Sequence, residues 1–552
     1  MTEKIIWAAI YFAIIIYLGW KGYKETKVAS DYMLAGRSVH PFIMSMSYGS
    51  TFISTSAIIG FGGAAAMWGF PLLWLTFFNI FFGIFLAFVF CGKRTRRMGS
   101  ALDAHTFPEL LGRRYQSRFI QGFSGGVIFL FMPVYAAAVL IGVARLLEVN
   151  LGISYGVAVF IFTAITALYV ITGGMKAVMY TDAFQACLMF VIMAIFVYWT
   201  YHVLGGFTAA HQALTDLALN PAAVAPIKGH PMLRGWNGWT QGLAFGTPTW
   251  LIVYTTIVYG VGIGVLAQPQ LAVRFMTVKS DKELNRGVMY GGPFLLCMTG
   301  VAFVVGALSN VVFFKIPDQA GKVLGQVAFI GGDKNIDKII PAYITSYFPD
   351  WFATFFLLAM FAAAMSTLSG QFHAAGTSLG RDLYEKGMGA KVSNVLTINR
   401  LAALVAVLLS MGCAFILPES VIAKATAFFF GLCSATFLPM FILGLTWKGM
   451  TKAAAIASML GGFAVSFFLL MFLHTPVSKP LGICKALFGV DTLLAGHAPG
   501  TMGFNLQFLD PNIVAMPVAF LIALLVAMSS AKFEESHINH CWRHMGSRKQ
   551  AA

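Results

Sequence analysis

A chain of 552 residues that is 58% hydrophobic and only 11% charged is too apolar for a soluble globular protein, where about a quarter of residues carry charge. Apolar runs of about twenty residues recur from end to end, which identifies a polytopic membrane protein embedded in a lipid bilayer. The net charge of +16 does not call for nucleic acid, because Lys and Arg gather in short loops between the apolar runs.

Lys4 precedes an apolar run from Ile5 to Leu18 in the manner of a signal peptide. Glu3 stands before it, however, and no small-residue cleavage site follows, so a retained first helix is expected. Thirteen spans are expected in all, at about 5–21, 41–70, 72–92, 119–147, 153–172, 174–204, 241–268, 288–314, 351–378, 396–417, 420–446, 452–473 and 512–531. With the N-terminus outside, the inner loops collect Lys21 to Arg37, Lys93 to Arg118, Arg274 to Arg286, Arg381 to Arg400 and the tail with Lys532, Arg543, Arg548 and Lys549. That bias sets the orientation as N-terminus out and C-terminus in the cytoplasm. Among the longer outer loops, Ile336 to Tyr347 reads as a short amphipathic helix across the outer mouth. The scattered cysteines show no CxxC pair and read as small core residues.

The span at 41–70 contains SMSYGSTFISTSAIIGFGG, from Ser45 to Gly63, dense in hydroxyls and glycines. Polar or irregular backbone survives in a membrane only where protein buries it or a wet cavity adjoins it. Ligand binding and small-residue helix packing both use these residue types. Span 241–268 carries Gly246, Thr247, Pro248, Thr249, Gly260, Gly262 and Gly264. Two interrupted openers, each starting a run of five spans, point to an inverted-repeat transporter with a site near the midplane. The expected organisation is a first helix and basic loop (1–40), a first repeat (41–204), an outer loop (205–240), a second repeat (241–446), two further helices (447–531) and a basic tail (532–552). No GxxxxGK[ST] loop is present, so ATP is not the expected driving force.

Four features carry chemistry. Ala363, Ser366 and Thr367 stand three and four apart and share one helical face, where hydroxyls and a freed carbonyl offer hard oxygens to a cation; hydroxyls bonded back to their own helix are the alternative. Asp182 is the only carboxylate clearly inside an expected span, about 12 Å from its cytoplasmic end by the helical rise. An ionisable group at that depth costs several kcal/mol unless paired or wet, so it is a candidate for the ion or proton path. Arg145 is followed by Glu148, three residues on. The two can form a surface couple, or the guanidinium can receive a carboxylate at the outer vestibule. In the tail, His537, His540, Cys541 and His544 have spacing that suits either a soft metal or a solvated segment.

Five segments together resemble the sodium/solute symporter family: DYMLAGRSVHPF (31–42), GGMKAVMYTDAFQ (173–185), LAQPQLAVRFMTVKS (266–280), AAAMSTLSG with RDLY (381–384), and FLPMFILGLTWKGMT (437–451). They occur in the family's order from about residue 30 to 470. The resemblance implies an all-α polytopic fold with thirteen spans and a leucine-transporter-type five-plus-five inverted-repeat core. It also implies sodium as the co-transported ion, no organic cofactor and no enzymatic activity. By matching motif positions, sodium would be held by the carbonyls of Ser50, Ile53 and Ala363 and the hydroxyls of Ser366 and Thr367, with Asp182 beside its path. Some relatives have a serine at the position of Ala363 that helps bind a second sodium; this chain does not.

RRYQSR, ARLLE and TFISTSAIIG look like pantothenate symporters, with bacterial monocarboxylate and acetate carriers close competitors. The expected activity is therefore sodium-coupled import of a small organic anion across a bacterial inner membrane. Symport of proline, a sugar or another nutrient is the alternative, as is a sensor of the same fold. Position assigns the substrate to Thr51, Ser54, Thr55, Tyr135, Arg145, Thr247, Trp250 and Tyr254.

Overall fold

A backbone in lipid must close its own hydrogen bonds, and this chain does so with helices; no strand occurs among the described residues. The structure is a computed structural model describing residues 2–227, 230, 233–315, 325–417 and 422–545. Among the described residues, eleven helices are long and apolar enough to cross a membrane, and Pro41–Phe52 with Ser56–Trp68 make a further span bent by 52°. The helix Tyr155–Val203 carries both spans expected at 153–172 and 174–204. Its 49 residues would reach about 74 Å if straight, over twice the ~30 Å hydrocarbon core. The chain breaks at Gly174, whose φ of 56° and ψ of −147° are open only to glycine, and a Cβ there would lie 2.5 Å from the Tyr32 ring.

The broken span has a local cause. Pro41 starts Pro41–Phe52 at a position that needs no N–H, and Ile53 ends it in extended geometry (φ −88°, ψ 99°). Ser54 then restarts the chain by accepting the Ser56 N–H at 3.1 Å, and the outer half winds through Ser56–Gly60 into Phe61–Trp68. The expected outer helix forms as Ile336–Tyr347, but its apolar face (Ile336, Ile339, Ile340, Tyr343) docks on protein rather than lying on lipid. Gly63 makes that approach feasible, since a Cβ there would sit 1.9 Å from the Ile336 carbonyl oxygen.

Three expectations are corrected. The second opener is not broken at its glycines: the helix runs through Gly260, Gly262 and Gly264 and stops at Gln268, where Pro269 withdraws the next donor. The span expected to end at 378 continues as Ser378–Gly387, which brings Asp382 inside it, so Asp182 is not alone as a span carboxylate. The tail is not simply solvated: Glu535–Trp542 folds back, burying Ile538 and Cys541, with His537 Nε2 2.9 Å from the Arg114 carbonyl. No metal-holding cluster forms among the described residues, and 546–552, with Arg548 and Lys549, lie outside them.

The basic loops converge at one end of the bundle. Arg96 and Arg97 both donate to Asp281, and Arg97 reaches the Met545 carbonyl. Arg113 (2.6 Å) and Arg381 (2.8 Å) clamp Glu109, which is 1% exposed, tying Phe107–Arg114 to the end of the long helix. Burial alone would raise the Glu109 carboxyl, but the hydrogen bond from His105 and the two guanidinium groups overcome it and hold it well below the usual carboxylate range.

Removing one partner of such a buried pair costs about 3–5 kcal/mol, so Arg381→Ala should lower the thermal unfolding midpoint in detergent, with Arg381→Lys intermediate. A depressed carboxylate stabilises above its unfolded value of about 4.3 and loses that contribution as pH falls toward the native value. Glu109→Gln should therefore flatten the acid side of the midpoint-versus-pH curve; an unchanged acid slope would exclude Glu109 as a major contributor.

Candidate functional site

Breaking the helix at Ile53 strands carbonyls that would otherwise bond four residues on. Those of Ser50 and Thr51 face Asp350–Thr377, where Ser366 and Thr367 project from one face. Ser366 Oγ donates to the Ser50 carbonyl at 3.0 Å and lies 3.3 Å from the Ala363 carbonyl. Thr367 Oγ1 lies 3.4 Å from the Ser50 carbonyl and 3.1 Å from the Thr51 carbonyl. Ser50, Thr51, Ala363, Ser366 and Thr367 are all fully buried. Four of the five expected cation ligands thus meet. The Thr51 carbonyl joins the cluster, whereas Ile53 instead lines a small cavity on the other side of the break.

One turn toward the basic end lies a second polar knot. Asp182 Oδ2 accepts from Ser47 Oγ (2.7 Å), Thr51 Oγ1 (3.1 Å) and Arg274 Nη2 (3.0 Å), and Asp182 Oδ1 accepts from Ser369 Oγ (3.0 Å). Arg274 was expected in an inner loop, yet it is 0% exposed and also donates to Ser47, Thr51 and the Gln270 carbonyl. The stop at Gln268 explains this: Pro269–Ala272 and Val273–Thr277 turn back into the bundle and deliver the guanidinium to the carboxylate. Thr51 joins the two knots, since its hydroxyl lies 3.1 Å from both Asp182 Oδ2 and the Ser366 carbonyl and also accepts from Arg274.

The small cavity, about 10 Å³, lies against the outer side of the break. Ser54 and Tyr135 line it as expected, with Asn79, Thr299 and Thr426 as further polar walls and Phe52, Phe61, Phe303 and Phe430 as apolar ones. The Asn79 carboxamide oxygen is buried and without a partner among the described residues. Sequence reasoning passed over Asn79, although an amide in the middle of an apolar run is itself a signal.

The other substrate candidates lie elsewhere. Thr51 belongs to the ionic knot, and Thr55 Oγ1 faces the Val139 carbonyl at 3.3 Å, a contact between spans. Thr247 caps the first turn of the second opener by accepting from the Trp250 N–H, and Trp250 packs edge-on against Phe245 and at a tilt against Tyr254. None of the three lines the cavity; Val261, two turns deeper, does. Arg145 pairs with Glu148 at 2.7 Å over the Tyr155 ring and lines a separate outer cavity of about 500 Å³.

Residues 32–462 match the sodium:solute symporter family, and the chain belongs to that family. It is a transporter, not an enzyme, with sodium as the co-transported ion. The osmoregulated proline transporter OpuE of Bacillus subtilis (strain 168) is 28% identical over 510 residues, covering 90% of this chain and 94% of the relative. A sodium/proline symporter of Staphylococcus aureus (strain bovine RF122 / ET3-1) is 27% identical over 558 residues, covering 97% and 95%. Both are named for proline, not for the pantothenate or acetate-type anions to which the motifs pointed. Among solved structures, a sodium-coupled sialic acid symporter in a substrate-bound outward-open state superposes with a TM-score of 0.71 at 17% identity, over 95% of this chain and 97% of that one. The likeness establishes the shared fold.

Asp182→Asn leaves Arg274 buried without its counter-charge and should cost on the order of 3–5 kcal/mol in thermal stability. Asp182→Asn with Arg274→Gln should recover part of the loss. Additive losses in this double-mutant cycle would show that the two groups do not act as a pair.

Proposed function

We propose that this chain imports proline, a zwitterionic amino acid, by sodium symport and alternating access. The observation that carries the sodium part is the convergence of the Ser50 and Ala363 carbonyls with the Ser366 and Thr367 hydroxyls. Uncharged hard oxygens 3.0–3.4 Å apart suit a cation about 2.4 Å from each, because an octahedron of that radius has edges of about 3.4 Å. Both hydroxyls would turn their hydrogens away and present lone pairs to the ion. The ligands come from two different spans, so sodium would bridge the broken span to the hydroxyl helix and favour the arrangement in which both face the substrate.

The proline part is supported by the two bacterial relatives. The cavity at Ser54, Asn79 and Tyr135, about 10 Å³ in this closed arrangement, would have to widen to receive the solute, beside the freed amide groups of Ser54 and Thr55 at the restart of the outer half-helix. Partial positive charge at that restart suits a carboxylate. Proline carries no net charge at neutral pH, so each sodium moves one positive charge inward. That contributes about 2.3 kcal/mol per 100 mV of membrane potential, in addition to the sodium gradient. The positive-inside bias supports a cytoplasmic C-terminus in a bacterial plasma membrane, with the clamped basic end facing the cytoplasm.

In proteoliposomes, labelled proline should accumulate under an inward sodium gradient and more strongly with an inside-negative potential. Acetate, pyruvate, lactate and pantothenate should compete poorly. Proline uptake that is equally strong in sodium-free medium under a proton gradient would overturn the sodium assignment. Effective competition by acetate or pantothenate with no proline uptake would restore the organic-anion reading. Ser366→Ala combined with Thr367→Ala should raise the half-saturating sodium concentration at least tenfold; an unaltered sodium dependence would remove those hydroxyls from the ion's path.

A further inference from the structure

The break at Gly174, like the one at Ile53, strands backbone carbonyls that neighbouring segments must meet. Thr26 Oγ1 donates to the Gly173 carbonyl at 2.8 Å, and Arg400 Nη2 reaches the Thr172 carbonyl at 2.8 Å from the helix Val395–Ile416. The Arg400 guanidinium also lies over the Tyr23 ring, 5.9 Å from its centroid, so Thr2–Glu25, Tyr155–Val203 and Val395–Ile416 come together here. Only Nη2 of that guanidinium is hydrogen-bonded among the described residues, and Nε is buried without a partner there. A group with five N–H donors and one acceptor in contact is incomplete, and an oxyanion is the natural complement.

Away from this junction the two flanking helices stand apart. Phe12 and Gly19 of the first helix pack on Phe162 and Tyr169, whereas Phe415 of Val395–Ile416 packs on Tyr155 and Gly156. Between those contacts Val157, Phe160, Ile161, Ala164 and Leu168 recur at helical spacing and are exposed, an apolar floor leading down to Thr172. Acyl chains of any phospholipid cover such a floor; the mouth at the basic end is selective. Trp20, Tyr23 and Lys24 follow at i, i+3 and i+4 and are all exposed on the outward face of the first helix. Lys24 Nζ sits 3.8 Å from the centre of the Trp20 ring, and Lys27 is exposed just past the helix end. The nearby carboxylates are already engaged. Glu25 Oε2 accepts from the Tyr180 hydroxyl at 2.7 Å, and Asp31 pairs with Lys176 at 3.3 Å and accepts from the Lys27 backbone N–H. Lys24, Lys27 and Arg400 thus present positive charge beside an indole, the side chain that marks the headgroup layer.

We propose that this groove holds one anionic phospholipid, with an acyl chain along 157–168 and the phosphate between Arg400 and Lys24. The phosphate supplies the acceptor that the guanidinium lacks and braces the Arg400 bond to Thr172 at the break. A zwitterionic headgroup would bring its own ammonium into a mouth that is already cationic, so it is disfavoured. Asp182 stands about two helical turns past Gly174, so the lipid would steady the base of the helix that carries the buried ion pair.

The test is native mass spectrometry of the purified full chain in detergent, with phosphatidylglycerol and phosphatidylcholine of matched acyl chains at equal concentration. One phosphatidylglycerol should be retained per chain, with roughly tenfold or greater preference over phosphatidylcholine. Lys24→Gln with Lys27→Gln, both at exposed positions, should lower that preference about threefold, and Arg400→Gln about fivefold or more. Arg400→Lys should keep more of it than Arg400→Gln. Lys448→Gln with Lys452→Gln, exposed in another basic loop, should leave it unchanged. Equal retention of the two lipids overturns the groove. So does an equal loss in the Lys448 and Lys452 pair, which would show diffuse attraction to the basic end. Displacement of phosphatidylglycerol by millimolar glycerol phosphate would show a site for free phosphate and also overturns the lipid. The exposed lysine pair keeps the proposal falsifiable if Arg400→Gln fails to fold.

Discussion

A carbonyl oxygen released inside a membrane protein cannot turn to lipid for a hydrogen, so another part of the protein, water or an ion must meet it. At Ser50 and Thr51 that obligation is met by Ser366 and Thr367 from a helix more than three hundred residues away in sequence. Much else follows from this crossing. The two helices must approach closely, and Gly370 is the price: a Cβ there would lie 2.7 Å from Thr51 Cγ2. The outer half of the broken span must then leave at an angle, which opens a space on the far side of the break where Ser54, Asn79 and Tyr135 converge.

The ion pair of Asp182 with Arg274 sits against this crossing and shares Thr51 with it. Two opposite charges at full burial interact strongly, but their desolvation offsets much of the gain, so such a pair is better understood as setting position than as adding stability. Here it holds the segment after Gln268 against the broken span. A cation at the Ser50 carbonyl would therefore lie one hydroxyl away from the ion pair that holds the segment after Gln268 to the broken span. That is a short physical route by which cation binding at one place can alter packing at another.

The two ends of the bundle differ in a way that fits this route. At the basic end, buried pairs such as Arg381 with Glu109 close the structure, and the cavity beside His373 and Thr106 is only about 10 Å³. At the opposite end, chambers of about 500 and 320 Å³ lie to either side of the docked helix Ile336–Tyr347. The conformation is thus clamped at one end and loosely filled at the other.

The sequence by itself determined what depends on local pattern. Apolar runs located the spans, the hydroxyls and glycines of 45–63 marked the break, and the spacing of Ala363, Ser366 and Thr367 put three cation-ligand candidates on one face. The carboxylate at Asp182 stood out for the same reason, since burial of charge is costly wherever the chain goes. Tertiary structure decided what depends on rotation and chain reversal. Periodicity places Thr247, Trp250 and Tyr254 in a span but does not say that Val261 is the residue facing the cavity. Counting Arg274 among loop cations was correct by composition and wrong in space, because the stop at Gln268 and Pro269 sends the following residues back into the protein. Ser50 and Ser366 belong to segments far apart in the chain, and only folding brings them together. Local pattern follows from the geometry of a single helix, whereas a site shared by several helices exists only once their packing has fixed which faces meet.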